Sequence, residues 1–200
     1  MLGSVERDLG RRALDTARVR GATYADARFV RRAVEDVLVK NGHLETVDRS
    51  DTYGFAVRAI ADGGWGFAAS STLTGEEADR VAALAVDVAR ASALTKREDA
   101  TLAPVKPVVD TYTTPIEIDP FGLSFEERTR LLLDADAAMR TAQPTLRTTR
   151  ASYEIWREEK LFLSSEGADI AQTLHETGAS IAAEAVGDGE QQIRTYPGSG

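Results

Sequence analysis

Two hundred residues, 42% of them hydrophobic and 28% charged, suffice for one large domain or two small ones with real cores, which excludes a disordered chain. The net charge of -8 and pI near 4.9 oppose non-specific binding to nucleic acid or anionic membrane, because attraction to polyphosphate needs clustered Lys and Arg. Cysteine is absent, which removes disulfides and thiolate metal sites, no apolar run reaches the length of a membrane span, and the first residues lack a signal peptide's hydrophobic segment; the cytoplasm is the expected compartment.

Val5, Leu9, Ala13 and Ala17 recur at helical spacing and predict an amphipathic first helix that stops at Gly21. The β-prone pieces 27–30 and 34–39 follow, broken by Arg31 and Arg32, and the Asn41-Gly42 turn lets 44–48 pair back. Residues 53–70 form the centre of the chain. Tyr53, Phe55, Val57 and Ala59 point one way, and after the Asp62-Gly63 turn Trp65, Phe67 and Ala69 resume the odd-position pattern of an antiparallel hairpin. Gly54, Gly64 and Gly66 leave room there for close approach. Four strands are thus expected before the next helix.

Thr74 and Glu77 predict a capping box that opens a helix over 75–92, with Ala78, Val81, Ala82, Ala85, Val88 and Ala89 as its apolar stripe. From 94 to 120 the periodicity fails, and prolines at 104, 107, 115 and 120 predict an arm. Val105, Val108, Val109, Tyr112, Ile116 and Ile118 are too apolar for free solvent, so the arm is expected to be ordered. A second capping box, Ser124 with Glu127, opens a helix over 125–142 with Leu131, Leu132, Ala135, Ala138, Met139 and Ala142 inward, stopped at Pro144. Strands follow at 151–156, 160–163, 170–175, 179–186 and 191–196, with turns at Glu166-Gly167 and at 187–189. Strands in runs joined by short turns give an α+β class: two consecutive units of helices packed on mainly antiparallel sheet. The expected division is an N-terminal unit over 1–100, an extended arm over 101–122 and a second unit over 123–200, whose last residues, 196–200, are expected to lead into further sequence.

No catalytic constellation emerges from the residues. His43 and His175 are the only imidazoles, and the His175-Glu176 pair lacks a second histidine one turn on, since Ala179 and Ser180 stand there; both histidines read as surface residues. Ser70, Ser71, Ser164 and Ser165 have no Gly-x-Ser-x-Gly elbow and no assignable base. Glu158 and Glu159 are adjacent on a strand and point to opposite faces, so they cannot flank one bond. The Gly63-Gly64-Trp65-Gly66 run lacks a phosphate loop's lysine and helix N-terminus. No catalytic, cofactor-binding or metal-binding residue is therefore assigned.

The order of several segments nevertheless resembles the TldD/PmbA family. They are Gly54 to Thr74 through the Trp65-Gly-Phe-Ala hairpin, Ala85-Val-Asp-Val-Ala-Arg-Ala-Ser-Ala, Val109-Asp-Thr-Tyr-Thr-Thr-Pro-Ile-Glu-Ile-Asp-Pro-Phe, Arg157-Glu-Glu-Lys-Leu-Phe-Leu-Ser-Ser-Glu-Gly, and Arg194-Thr-Tyr-Pro. The hairpin and the Asp-Pro-Phe arm resemble the TldD branch more than PmbA. The resemblance implies the N-terminal portion of a cytoplasmic zinc-dependent metallopeptidase that trims peptides or unfolded proteins and pairs with a PmbA-type partner or with itself. The family's His-Glu-x-x-x-His helix has no match here and is expected beyond residue 200, so these residues would be inert alone and contribute walls, oligomer contacts and a strand edge for an extended peptide. The competing expectation is a non-catalytic interaction module of the same fold. A gyrase-related role belongs to the family's older name, and the acidic composition gives it no support as direct DNA contact.

Overall fold

A computed structural model describes residues 2–198. Helix α1 spans Ser4–Val19, α2 Gly75–Ala93 and α3 Phe125–Ala142. The strands are β1 Tyr24–Lys40, β2 His43–Ala61, β3 Gly64–Ser70, β4 Val109–Thr113, β5 Thr148–Ser164, β6 Asp169–Gly187 and β7 Glu190–Tyr196, and a 3-10 turn occupies Pro120–Gly122. Their order is β3-β2-β1-β5-β6-β4, with β7 against β6. The fold is α+β, as the sequence predicts. Pairing is antiparallel for β2 with β3 and β6 with β7, and parallel for β4 with β6.

The turns form as their residues dictate. Asn41 and Gly42 (φ 50° and 79°), Asp62 and Gly63 (52° and 74°) and Asp188 and Gly189 (50° and 79°) all take the positive dihedrals that suit a two-residue hairpin. Strand lengths depart from expectation. Arg31 and Arg32 do not break β1, 44–48 and 53–61 are one strand of 19 residues, and the expected breaks after 156 and after 175 are absent as well. Polar residues alternate onto solvated faces of a strand without ending it, so three strands, not four, precede α2.

By contact the chain divides into two units, each drawing on three segments: unit 1 holds Met1–Arg32, Thr52–Thr114 and Glu158–Leu174, and unit 2 holds Ala33–Asp51, Pro115–Arg157 and His175–Gly200. A strand advances about twice as far per residue as a helix, so β1, β2, β5 and β6 each serve both units.

In unit 1, α1 and α2 cover one sheet face. Phe29 stacks on Phe55 at 5.3 Å, and Val57, Ala59, Ala68, Val81, Ala85, Leu161 and Leu163 fill the space around them. Gly64 and Gly66 let α2 lie on β3: a Cβ at Gly66 would stand 1.8 Å from the Ala85 carbonyl oxygen. Val86 rather than Val88 joins Val81 on the inward face of α2, and Val5 of α1 is exposed while Gly10 is buried. The Thr74 hydroxyl caps α2 by accepting from Glu77 N at 3.2 Å, but Glu77 turns to Arg80 rather than back to the cap.

In unit 2, α3 opens with the full capping box, Glu127 N to Ser124 Oγ at 3.2 Å and Ser124 N to Glu127 Oε2 at 2.8 Å. Its inward face is the expected one only in part, with Leu132 buried and Ala135 packed beside it. Leu131 is exposed, and Arg128, Thr129, Leu132 and Asp136 are the buried residues. The core is small: Val37, Val39, Leu132, Ala151, Tyr153 and Ile155.

Within residues 101–118 the regular element is β4, and Val105, Val108, Val109, Tyr112, Ile116 and Ile118 are exposed although their apolar character predicts cover. β7 ends at Tyr196, and residues 199 and 200 lie outside the described residues.

Candidate functional site

The two-residue turn at Asp62-Gly63 sets the register Ala61 to Gly64, Ile60 to Trp65, Arg58 to Phe67 and Val57 to Ala68. Directly opposed residues share a face, so an odd position before the turn faces an even position after it. Trp65 and Phe67 therefore stand with Arg58 on the face opposite Phe55 and Val57, not with them as the odd-position pattern suggests. The helices of unit 1 cover the Phe55 face. The other face carries Tyr24, Asp26, Arg28 and Val30 from β1, Arg58 from β2, Trp65 and Phe67 from β3, and Lys160 and Phe162 from β5. Phe67 is 57% exposed and Trp65 38%.

A buried carboxylate organises this face. Asp26, fully buried, accepts from Arg28 Nε at 3.0 Å, from Arg58 Nε at 3.0 Å and Nη2 at 2.7 Å, and from the Tyr24 hydroxyl at 3.0 Å. Each guanidinium also lies over a ring: Arg28 is 5.1 Å from the centre of Phe162 and Arg58 5.3 Å from that of Trp65, which Tyr24 meets edge-on at 6.0 Å. Burial, and then the Asp26 charge, push the Tyr24 phenol up to about 12, so it stays a donor at neutral pH. Two arginines on one aspartate leave a positive surplus on an aromatic sheet.

Two open grooves flank Arg28 and Val30. One, about 590 Å³, runs over Gly54, Ala56 and Ala69. The other, about 470 Å³, runs between Val30, Lys160, Phe162, Ile170 and Gln172. Among the described residues no carboxylate lines either groove.

A second charged cluster is internal to unit 2. Glu35, 3% exposed, accepts from Arg128 Nε at 3.0 Å, Arg49 Nε at 2.5 Å and the Tyr153 hydroxyl at 2.5 Å, while Arg128 also donates to the carbonyls of Pro120 and Leu123. Burial pushes the Glu35 carboxyl up, but the Tyr153 hydrogen bond and the two arginines outweigh it and hold it below its ordinary range. The cluster ties the end of the arm and α3 to the strands. Asp136 is the third buried acid, bonded by the Thr149 hydroxyl at 2.5 Å and by Arg140 Nε at 2.7 Å.

The residues weighed for chemistry lie apart from one another. His43 is exposed at the start of β2, and His175 is half-buried in β6. The Ser164 hydroxyl accepts from Ala168 N within its turn, and the Ser165 hydroxyl accepts from Ala25 N at the start of β1. Glu158 pairs with Lys160 at 2.6 Å and Arg32 at 3.7 Å. Among the described residues no group of three or more His, Cys, Asp or Glu side chains is placed to hold a metal ion, so these residues do not fit a hydrolytic zinc centre. Nor is any helix among them long and apolar enough to cross a membrane. What sequence reasoning missed is the Asp26, Arg28 and Arg58 cluster; its signal was charged residues at alternate positions of a strand that also carries Phe29.

Residues 25–89 match the family description PmbA/TldA metallopeptidase domain 1, and residues 118–200 match PmbA/TldA metallopeptidase central domain. A metalloprotease of Methanocaldococcus jannaschii is 26% identical over 147 residues, which is 74% of this chain and 32% of that protein. A metalloprotease of Synechocystis is 26% identical over 180 residues, 89% of this chain and 38% of that protein. The chain thus spans about a third of the length of these relatives. Among solved structures, one named for modulation of DNA gyrase from Bacteroides thetaiotaomicron superposes with a TM-score of 0.75 at 14% identity, covering 98% of this chain and 45% of that one. TldE from Thermococcus kodakarensis gives 0.65 at 12% identity, covering 96% and 42%. At such identities the structures speak for the fold alone.

Proposed function

Since the chain belongs to the PmbA/TldD metallopeptidase family, we propose that residues 1–200 form a scaffold and substrate wall of such a peptidase, acting on peptides or unfolded proteins in the cytoplasm. The observation that carries this reading is the uncovered face of unit 1, where Trp65, Phe67 and Val30 are exposed on rigid strands beside fixed arginines. Extended polypeptide offers the flat apolar side chains such a surface accepts. Bond cleavage and the zinc it would require belong, on this reading, to other polypeptide, because neither His43 nor His175 has ligand-spaced company. Pairing with a PmbA-type partner or a second copy is part of the same proposal, and β3 and β4, which end the strand order, are the edges where a peptide strand would add.

The test is a purified 200-residue chain assayed for zinc and for cleavage of a denatured protein, alone and with a family partner. The expected result is no stoichiometric zinc and no cleavage alone. Tight zinc or cleavage by this chain by itself would overturn the assignment. The exposed aromatic face also favours a second reading, a binding module that does no chemistry; it predicts that Phe67→Ser abolishes partner capture while no partner confers peptidase activity.

A further inference from the structure

The groove between β1, β5 and β6 is lined by two cations, Arg28 and Lys160, and by no carboxylate, in a chain whose net charge is -8. We propose that it is a carboxylate subsite, holding an Asp or Glu side chain or the C-terminus of an extended polypeptide, with Val30, Phe162 and Ile170 receiving the apolar side chain beside it. This rests on reading the chain as a substrate wall.

Three observations carry it. Arg28 is preorganised, because its Nε is held by buried Asp26 at 3.0 Å and its guanidinium lies 5.1 Å over Phe162, yet its side chain is still 48% exposed. Fixing the cation in advance removes the rotamer entropy that makes most surface arginines poor binders. Asp26 does not cancel it, since the same carboxylate also answers to Arg58 and Tyr24. Lys160 shares its charge with Glu158 at 2.6 Å, so Arg28 is the principal contact and Lys160 the lesser one. The small positive surplus matches one carboxylate, whereas a polyphosphate chain needs a run of uncompensated cations. Arg28 and Val30 also line the second groove, so a bound chain has a continuous path over Gly54 and Ala56.

The experiment measures binding to the 200-residue chain by fluorescence anisotropy, using labelled unstructured nonapeptides that differ only in a central Val-Glu-Phe, Val-Gln-Phe or Val-Lys-Phe. Binding of the Glu peptide is expected to be about tenfold tighter than that of the Gln peptide, the worth of one charged hydrogen bond. The Lys peptide should bind weakest. Arg28→Gln should erase the Glu preference. Lys160→Gln, which leaves Asp26 and its partners untouched, should reduce it by a smaller factor, so the proposal stays testable even if Arg28→Gln fails to fold. Equal affinity for the Glu and Gln peptides, a preference that survives Arg28→Gln, or capture of a single-stranded oligonucleotide in place of peptide would overturn it, as would concentration-dependent dimerisation that buries Phe162. Failure here leaves a Glu peptide without preference; failure of the peptidase reading leaves a family partner unable to cleave. The two results are read separately.

Discussion

Unit 1 holds α1 and α2 to its sheet through alanine, valine and phenylalanine, and two glycines bring α2 into backbone contact with β3. Unit 2 holds α3 with a short apolar list and buries Arg128 and Asp136 of that helix together with Glu35 of β1. Close apolar packing tolerates pH and salt but not added volume. A buried ion cluster tolerates neither the loss of one member nor the loss of its charge, because the surviving partner is left desolvated. The charges are therefore spent differently: in unit 2 inside, to position a helix and the arm, and in unit 1 on the open face, where Asp26 fixes two arginines toward solvent.

The sharpest way to break this contrast is Glu35→Ala. It should cost about 3 kcal/mol, the lower end for opening a buried pair, since Arg128 keeps its carbonyl partners. Urea denaturation monitored by near-ultraviolet circular dichroism measures it; a loss below about 1 kcal/mol would show that the cluster is not what holds α3. Replacing Glu35 and Arg128 together by Met should recover part of that loss, because no buried charge of the pair is left alone while the Tyr153 hydroxyl and the Pro120 and Leu123 carbonyls still lose a partner.

Gly66→Ala probes the other unit. Its Cβ meets the Ala85 carbonyl, so α2 must shift, at about 1–3 kcal/mol and with slowed protection lost from amide exchange in α2 and β3. Unchanged exchange there would mean that the close approach does not constrain the helix.

Acid reaches the unit 2 cluster through one carboxyl. The Glu35 carboxyl sits below its unfolded value, so its contribution is present above the ordinary glutamate pKa of about 4.3 and is lost as pH falls through the lower folded value. Stability of the parent protein and of Glu35→Gln should converge as pH drops from about 5 to about 3. A constant gap in urea midpoints across that range would remove Glu35 from the account. Smallest of all, Arg12→Ala deletes an exposed pair with Asp79, 2.6 Å apart between α1 and α2, and should cost under about 1 kcal/mol in the same melts.

Much of this was legible in advance. Thr74 and Ser124 open their helices where capping chemistry places them, and Asn41-Gly42, Asp62-Gly63 and Asp188-Gly189 turn where only positive dihedrals fit. Three features were not. The parity of the hairpin depends on how many residues the turn spends, so Trp65 and Phe67 fall on the open face although their spacing continues that of Phe55 and Val57. The inward face of α3 is set by Glu35 and Tyr153 on the strands beneath, which gives Arg128 a buried partner and leaves Leu131 outside. The strands run through Arg31 and Arg32 because solvated faces accept charge.

Local chemistry in the chain decided the elements, the turns and the α+β class, since caps, breakers and alternation act over a few neighbouring residues. Tertiary structure alone decided which face each element shows to the core, where two strands or a helix and a sheet must agree on register. The open aromatic face with its fixed arginines exists only after that agreement, because Asp26, Arg58 and Phe162 come from three strands and meet nowhere in the sequence.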